Sequence, residues 1–275
     1  MAVKYHDIPG KNVYIVEFDA KCKLVPIVRK DADLNGNEEL FSDTIKRAQA
    51  FGKFEVCTNA CWFDVTSLGK SDALLGDDPV SANETINQGI ALMGTGERYG
   101  NSSPLMMYAA QSNNLSWEFG SGDVPTSGFY TGIGGMCPLI INGLKYGTGN
   151  KYSKKIDEAI IFGKPREQDV PFLTQRNNNK YAALEKAAAA MPGMGKVGFG
   201  VTSKGKCYVA VQSHYNPGMS FNDFRGIFLA FNCINAVAGD GSDSVFMYRD
   251  NVFVVESAHN KVELMTIGLG FKDIS

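Results

Sequence analysis

The 275-residue sequence has only three histidines and two tryptophans, and its charges almost cancel. Lys and Arg together number 27, Asp and Glu 29, for a net charge of −2. So balanced a chain has no general pull on nucleic acid or an anionic membrane. No basic stripe with interleaved aromatics stands out. No apolar run approaches the ~18 residues of a membrane-spanning helix. The segment from Met1 to Asn12 is polar and has no signal-peptide core. This predicts a cytoplasmic protein, or a secreted one if a leader was trimmed. No fixed period runs through the chain, which excludes a coiled-coil or collagen-like rod. The six cysteines (Cys22, Cys57, Cys61, Cys137, Cys207, Cys233) contain no Cys-x-x-Cys pair. Scattered in this way, they read as small buried apolar residues. With so few histidines, Cys57 and Cys61 lack the partners a zinc site needs. A Gly-x-Ser-x-Gly elbow is also absent.

What is abundant is glycine, at 30 residues, together with 17 Phe and 11 Tyr. The hydrophobic share is 44% and the charged share 20%, ordinary globular usage that excludes a disordered chain. The mix favours strands and tight turns over long helices. Strands are expected at 12–18 and 23–29, opening the fold as a pair, and at 54–58, 89–93, 105–110, 115–119 and 138–142. Further strands are expected at 159–162, 196–202, 207–212, 246–248, 252–255 and 262–271. Asn142-Gly143 and Asp250-Asn251 read as hairpin turns, and Asn35-Gly36-Asn37 as another turn. Helices are expected over 38–50, with Leu40, Phe41, Ile45 and Ala48 on one face, and over the Ala-rich 181–191. A third follows Ser220, with Asp223 as capping partner and Phe221, Phe224, Phe228 and Phe231 as a core stripe. Strand and helix do not alternate regularly, which argues against a doubly wound parallel sheet. The expectation is one α+β domain, residues 1–275, with a mixed or antiparallel sheet and a few flanking helices.

Several segments could carry chemistry. Gly200 to Cys207 nearly spells a phosphate-binding loop, but Cys207 replaces the required hydroxyl and the context is a hairpin. His214 follows a strand, where a catalytic or binding group could sit. Asp240-Gly241-Ser242-Asp243-Ser244 sets two carboxylates, hydroxyls and a glycine at a strand mouth. Such a loop can grip a metal, a sugar or a phosphodiester, or can simply be a polar turn. No metal site is assigned. A divalent cation near Asp240 and Asp243 would have a sparse ligand set, since calcium takes six or more oxygens.

Asn59-Ala60-Cys61-Trp62-Phe63, the stretch from Gly135 to Gly143, and the stretch from Asn235 to Ser244 occur in a telling order. Together they resemble the phosphodiester glycosidase family, over residues 56–271. The sequence departs from the family at Cys61, where a glycine is usual, and at Lys196, near the place of a strand Arg. It departs again at Ser242 and Asp243, in place of glycines, and at Ala238, in place of Asn. The resemblance implies a hydrolase that cleaves a glycosyl–phosphodiester bond. It implies Asp240 as nucleophile or as base for water, with Asp243 a second candidate. Lys196 would hold phosphate charge, and Asn59 and Ser244 would bond sugar hydroxyls or phosphate oxygens. Trp62 or Phe63 would stack on a sugar face, or pack in the core, while Gly134, Gly135 and Gly241 would let backbone approach the ligand. His214 is a further substrate-binding candidate. The leaving group is a phosphate ester, already a weak base, so the paired acid of ordinary glycosidases is less necessary.

Two alternatives stand beside this reading. One is a binding protein on the same fold that sequesters a phosphorylated sugar or nucleotide. The other is a structural component of a larger assembly such as a phage particle. In either enzyme or binder the partner is a small sugar-phosphate or nucleotide, not nucleic acid or membrane. The sequence leaves open whether the chain self-associates.

Overall fold

A computed structural model of the chain describes residues 3–28, 40–60, 107–121, 128–145, 151–152, 168–169, 173–176, 180–183, 193–265 and 267–275. Among them strands dominate, and every pairing is antiparallel. One sheet has nine strands: β1 (Lys4–Tyr5), β2 (Val13–Phe18), β5 (Met107–Ser112), β6 (Trp117–Ser121), β7 (Phe129–Ile141), β8 (Leu144–Lys145), β13 (Lys196–Thr202), β14 (Cys207–Gln212) and β15 (Cys233–Ala238). Its order is β1-β2-β14-β13-β15-β7-β5-β6, with β8 paired to β7. A second sheet has five strands: β3 (Cys22–Val28), β4 (Val56–Asn59), β16 (Met247–Arg249), β17 (Val252–Val255) and β18 (Ile267–Asp273). Its order is β17-β16-β4-β18-β3. Two ribbons join β9 (Lys151–Tyr152) to β10 (Gln168–Asp169) and β11 (Leu173–Arg176) to β12 (Lys180–Ala183).

The alternation of side chains along each strand builds the layers. On β2, Val16 and Phe18 enter the cluster shared by both sheets, while Val13 and Ile15 face the other way. On β13, Val197, Phe199 and Val201 point into the shared core, as do Cys207, Val209 and Val211 on β14. On β18, Ile267, Leu269 and Phe271 answer from the second sheet. The opposite face of the nine-stranded sheet is covered by helix α2 (Phe221–Ala230), through Phe221, Phe224 and Phe228. Helix α1 (Phe41–Ala50) covers the outer face of the second sheet with Phe41, Ile45 and Ala48. The result is four layers, helix–sheet–sheet–helix, with the largest core between the sheets. Gly200 makes room for α2, because a Cβ there would lie 2.8 Å from the Phe228 ring and 2.9 Å from Ala236 Cβ.

Polar struts tie the sheets together. Gln111 of β5 is fully buried; its Oε1 accepts from Leu24 N and its Nε2 donates to Cys22 O, both at 2.8 Å. Arg249 of β16 pairs with Asp7 and lies 4.1 Å from the Tyr5 ring centre, beside the first sheet. The five described cysteines, Cys22, Cys57, Cys137, Cys207 and Cys233, are buried thiols, as the scattered spacing suggested. No described helix is long and apolar enough to cross a membrane.

Most local expectations appear in place. The β13–β14 hairpin has the expected bounds, and Gly205 takes its turn at φ +81°. Asn142-Gly143 and Asp250-Asn251 make two-residue turns with positive φ. Ser220 caps α2, its Oγ accepting from Asp223 N at 3.1 Å. Leu40, expected on the buried face of α1, is instead its exposed N-cap.

Three expectations need correction. The opening strands β2 and β3 exist but lie in different sheets, so they are not partners. The Ala-rich segment expected to be helical from Tyr181 begins as strand β12, Lys180–Ala183, paired to β11; tertiary pairing overrides intrinsic helix propensity there. The expected last strand from Val262 is a tight helical turn, Ala258–Leu264, before β18 starts at Ile267. Buried Val262 belongs to the core beneath α1 rather than to a ladder. The expected strands at 89–93 and 159–162, and the turn at Asn35-Gly36-Asn37, lie outside the described residues.

Phe228 is fully buried beneath α2. Phe228→Ala is expected to lower unfolding stability by about 3–5 kcal/mol, read from denaturant melts with an unchanged slope.

Candidate functional site

The candidate residues gather at one mouth, where β15 ends, β13 begins and β4 ends. Strand β4 belongs to the second sheet and the other two to the first, so the mouth spans both. Asn59, the last residue of β4, is 2% exposed. Its Nδ2 donates to Asp240 O at 2.6 Å, and its Oδ1 accepts from Phe246 N at 3.3 Å. One carboxamide thus holds both arms of the 240–246 loop. Asp240 N in turn donates to Ala60 O at 3.0 Å.

The registers place the neighbours of Asp240. Gly198 pairs with Ala238 in β13–β15, and Ala238 with Cys137 in β15–β7. Gly239 N donates to Val197 O at 3.0 Å, which carries the start of β13, and with it Lys196, alongside Asp240. The pairing of β15 with β7 ends at Ala238 and Cys137; Gly134 and Gly135 precede that point in β7, and Gly134 is buried. Asp240 itself is 6% exposed and Ser244 3%.

Lys196 is fully buried. It shares the face of Gly198 and Gly200, under α2, and its Nζ lies 5.3 Å from the Phe221 ring centre. Nζ donates to Met194 O at 2.7 Å. That carbonyl also accepts from Gln212 Nε2 at 2.9 Å, while Gln212 Oε1 accepts from Met219 N at 2.9 Å. Burial pulls the lysine pKa down to about 8, because a low-dielectric setting disfavours the ammonium form.

Close backbone approach shapes the loop. Ser242 N donates to Gly195 O at 2.8 Å. A Cβ on Gly195 would collide with Ser242 O, and one on Gly241 would lie 2.6 Å from Gly195 O. Both positions therefore require glycine. Ser242 has φ +65°, a backbone that glycine takes without strain. Ser242 to Ser244 form a single tight helical turn. Gly195 N donates to His214 Nδ1 at 3.1 Å, which brings His214 to the same loop. Since Nδ1 accepts, the neutral ring carries its proton on Nε2. Burial lowers the His214 pKa, opposed by the charge of Asp243 and assisted by Lys196, His259 and Lys261.

The structure thus brings together Asn59, Lys196, His214, Asp240, Gly241, Asp243 and Ser244. Trp62 and its neighbours Cys61 and Phe63 lie outside the described residues. Sequence reasoning did not single out Gly195, Gln212, Met194, His259 or Lys261. Lys261 pairs with Asp243 at 2.7 Å. No short motif marks it, because its partner lies on a separate loop. Among the described residues no three His, Cys, Asp or Glu side chains gather as a cation site. With Asp243 paired to Lys261, the described residues beside Asp240 do not supply the oxygen set a divalent cation takes.

No protein-family model matches the sequence, and no curated protein matches it. Solved structures do. The catalytic domain of zebrafish N-acetylglucosamine-1-phosphodiester alpha-N-acetylglucosaminidase, auto-inhibited by its pro-peptide, matches with a TM-score of 0.57. The match covers 99% of this chain and 82% of that one, at 14% identity. The two chains share a fold. A hypothetical protein from Synechocystis matches at a TM-score of 0.43 and 12% identity, over 98% of this chain and 61% of that one. The expected likeness to a phosphodiester glycosidase is therefore met as a distant relation of fold.

Two outcomes are expected of this geometry. Asn59→Ala strands Asp240 O and Phe246 N in a buried place and should cost about 1–3 kcal/mol for the unmet groups, measured by chemical denaturation. Lys196→Met should raise stability at neutral pH by removing a buried charge. The lysine has a pKa of about 8 in the folded state and a higher one when unfolded. The native chain therefore gains stability as pH rises through 8 toward the unfolded lysine value, and the advantage of the variant shrinks over that window. Thermal melts across pH would read this, and a pH-independent difference would refute it.

Proposed function

We propose that this chain is a hydrolase that cleaves glycosyl phosphodiesters at the mouth formed by Asn59, Lys196 and Asp240. The observation that carries the reading is the buried Asp240 just past the end of β15, its backbone held by the Asn59 amide and Ala60 O, with the start of β13 and its buried Lys196 alongside. The fold shared with an N-acetylglucosamine-1-phosphodiester alpha-N-acetylglucosaminidase supports it.

Asp240 supplies the carboxylate. As nucleophile it attacks the anomeric carbon, the carbon–oxygen bond to phosphate breaks, and water then releases the sugar from the ester. As base it takes a proton from water while that water attacks the same carbon. In either case the electron pair leaves with the phosphate oxygen, giving a phosphomonoester. That group needs little protonation to depart, because the second pKa of a phosphomonoester is about 6. Lys196 balances its growing charge from a dry position, where a cation acts strongly. Asn59 is a positioning residue, since its amide bonds the loop backbone. Ser244 and the backbone at Gly135 and Gly241 face the sugar or the phosphate.

The test is turnover of a panel of sugar 1-phosphodiesters and nucleotide sugars, followed by mass spectrometry for free sugar plus phosphomonoester. Wild type should release product, and Asp240→Asn should release at least a hundredfold less, as expected for loss of a catalytic carboxylate. The anomer released first, seen by NMR, separates nucleophile from base. Because Lys196 must be charged to hold phosphate, kcat/KM should fall as pH rises through about 8. Tight binding of one compound without release would instead indicate a sequestering protein.

A further inference from the structure

The turn Ala258–Leu264 contains two consecutive residues in the left-handed region, His259 at φ 56° and Asn260 at φ 54°. Consecutive left-handed non-glycine residues carry strain. The turn is held by Ser257, whose Oγ accepts from Val262 N at 2.7 Å, and by Val262, buried in the core under α1. This strained, anchored turn delivers Lys261 to Asp243 in the loop after Asp240. The ion pair is 2.7 Å long, with the Lys261 side chain 32% exposed and that of Asp243 30%. His214 is held by the N–H of Gly195, whose carbonyl accepts from Ser242 N of the same loop. The charges of Asp243, Lys196, His259 and Lys261 all act on the His214 imidazole. Lys261 thus pairs with a loop carboxylate that solvent reaches, and both charges act on the nearby imidazole.

We propose that Lys261 and His214, with Lys196 behind them, bind the phosphoryl group of the substrate, and that Asp243 is an internal counter-anion which this group displaces from Lys261. The proposal rests on the hydrolase reading for the identity of the ligand. The chemistry recognised is a tetrahedral phosphoryl anion. A phosphodiester carries one negative charge, whereas the phosphomonoester product carries about −1.5 to −2 at neutral pH. The cluster thus holds product more tightly than substrate, and re-pairing of Asp243 with Lys261 speeds its departure. His214, neutral and donating from Nε2 at neutral pH, becomes a further cation when Nδ1 gives up its bond from Gly195 N and takes a proton. Anion affinity therefore rises as pH falls through the His214 pKa, which lies below the ordinary histidine value.

The test uses inorganic phosphate and sulfate as probes, titrated by calorimetry into the full chain. Sulfate keeps a constant charge across this pH range and so isolates the protein's own titration. Removing the internal competitor in Asp243→Asn should tighten both anions by about two- to fivefold, the scale of a partly exposed ion pair. It should also deepen product inhibition. Lys261→Gln should weaken both by about tenfold or more, the scale of a charged hydrogen bond, and Lys261→Arg should restore most of the loss. His214→Gln should flatten the pH dependence of sulfate binding. Both members of the ion pair are partly exposed, so circular dichroism of these variants should match wild type. Weaker anion binding by Asp243→Asn, or no effect of Lys261→Gln, overturns the proposal. If wild type turns over the panel while these substitutions leave anion affinity unchanged, the anion site is wrong and the hydrolase reading stands. If no compound is turned over but Asp243→Asn tightens sulfate as expected, the anion site stands and the hydrolase reading falls.

Discussion

The carboxamide of Asn59 joins the two sheets at the point where chemistry is proposed. Its donor holds Asp240 O and its acceptor holds Phe246 N, so the loop between them has little freedom to drift. An amide suits this task because it offers a donor and an acceptor on one rigid plane. An aspartate would repel the Asp240 carbonyl, and a serine could not reach both arms. Gln111 and the Arg249–Asp7 pair serve the same purpose elsewhere between the sheets. Two hydrophobic faces alone would allow the sheets to slide, whereas a buried polar tie costs desolvation unless its partners meet. The ties therefore set the register of one sheet against the other.

That register puts a lysine where the fold can least accommodate one. Lys196 occupies the α2 face of β13, a face otherwise made of glycines and covered by phenylalanines. Burying the ammonium costs free energy, seen in its pKa of about 8. The lysine is held by the Met194 carbonyl, which Gln212 also grips. A stability-optimised core would hold an apolar residue here; under the proposed function the lysine is there to meet phosphate charge. Local strain follows the same pattern at Ser242, His259 and Asn260, all in left-handed backbone around the same loop.

Hairpins and helix caps were legible in the sequence because their causes are local. Asn142-Gly143, Asp250-Asn251 and the Ser220–Asp223 cap each need only a few neighbouring residues. The loop from Asp240 to Ser244 was legible as a candidate site because carboxylates, hydroxyls and glycine crowd a strand end. Lys261 was not legible, because its partner Asp243 lies 18 positions away and no motif links them. The strand at Lys180–Ala183 was misread for a related reason. Alanine favours helix in isolation, but the hydrogen bonds of a ribbon partner decide the outcome.

Composition and pattern by themselves determined that this chain would be strand-rich, thiol-bearing and without strong charge bias. They also determined which side chains along each strand would be apolar, since alternation is written residue by residue. Tertiary structure alone decided that β2 and β3 part into different sheets, that Asn59 spends its amide on the Asp240 loop, and that Asp243 answers to Lys261. The physical reason is range. Turn and cap preferences are set by contacts a few residues apart, whereas strand partners and ion pairs are chosen by the burial of whole faces brought together across the chain.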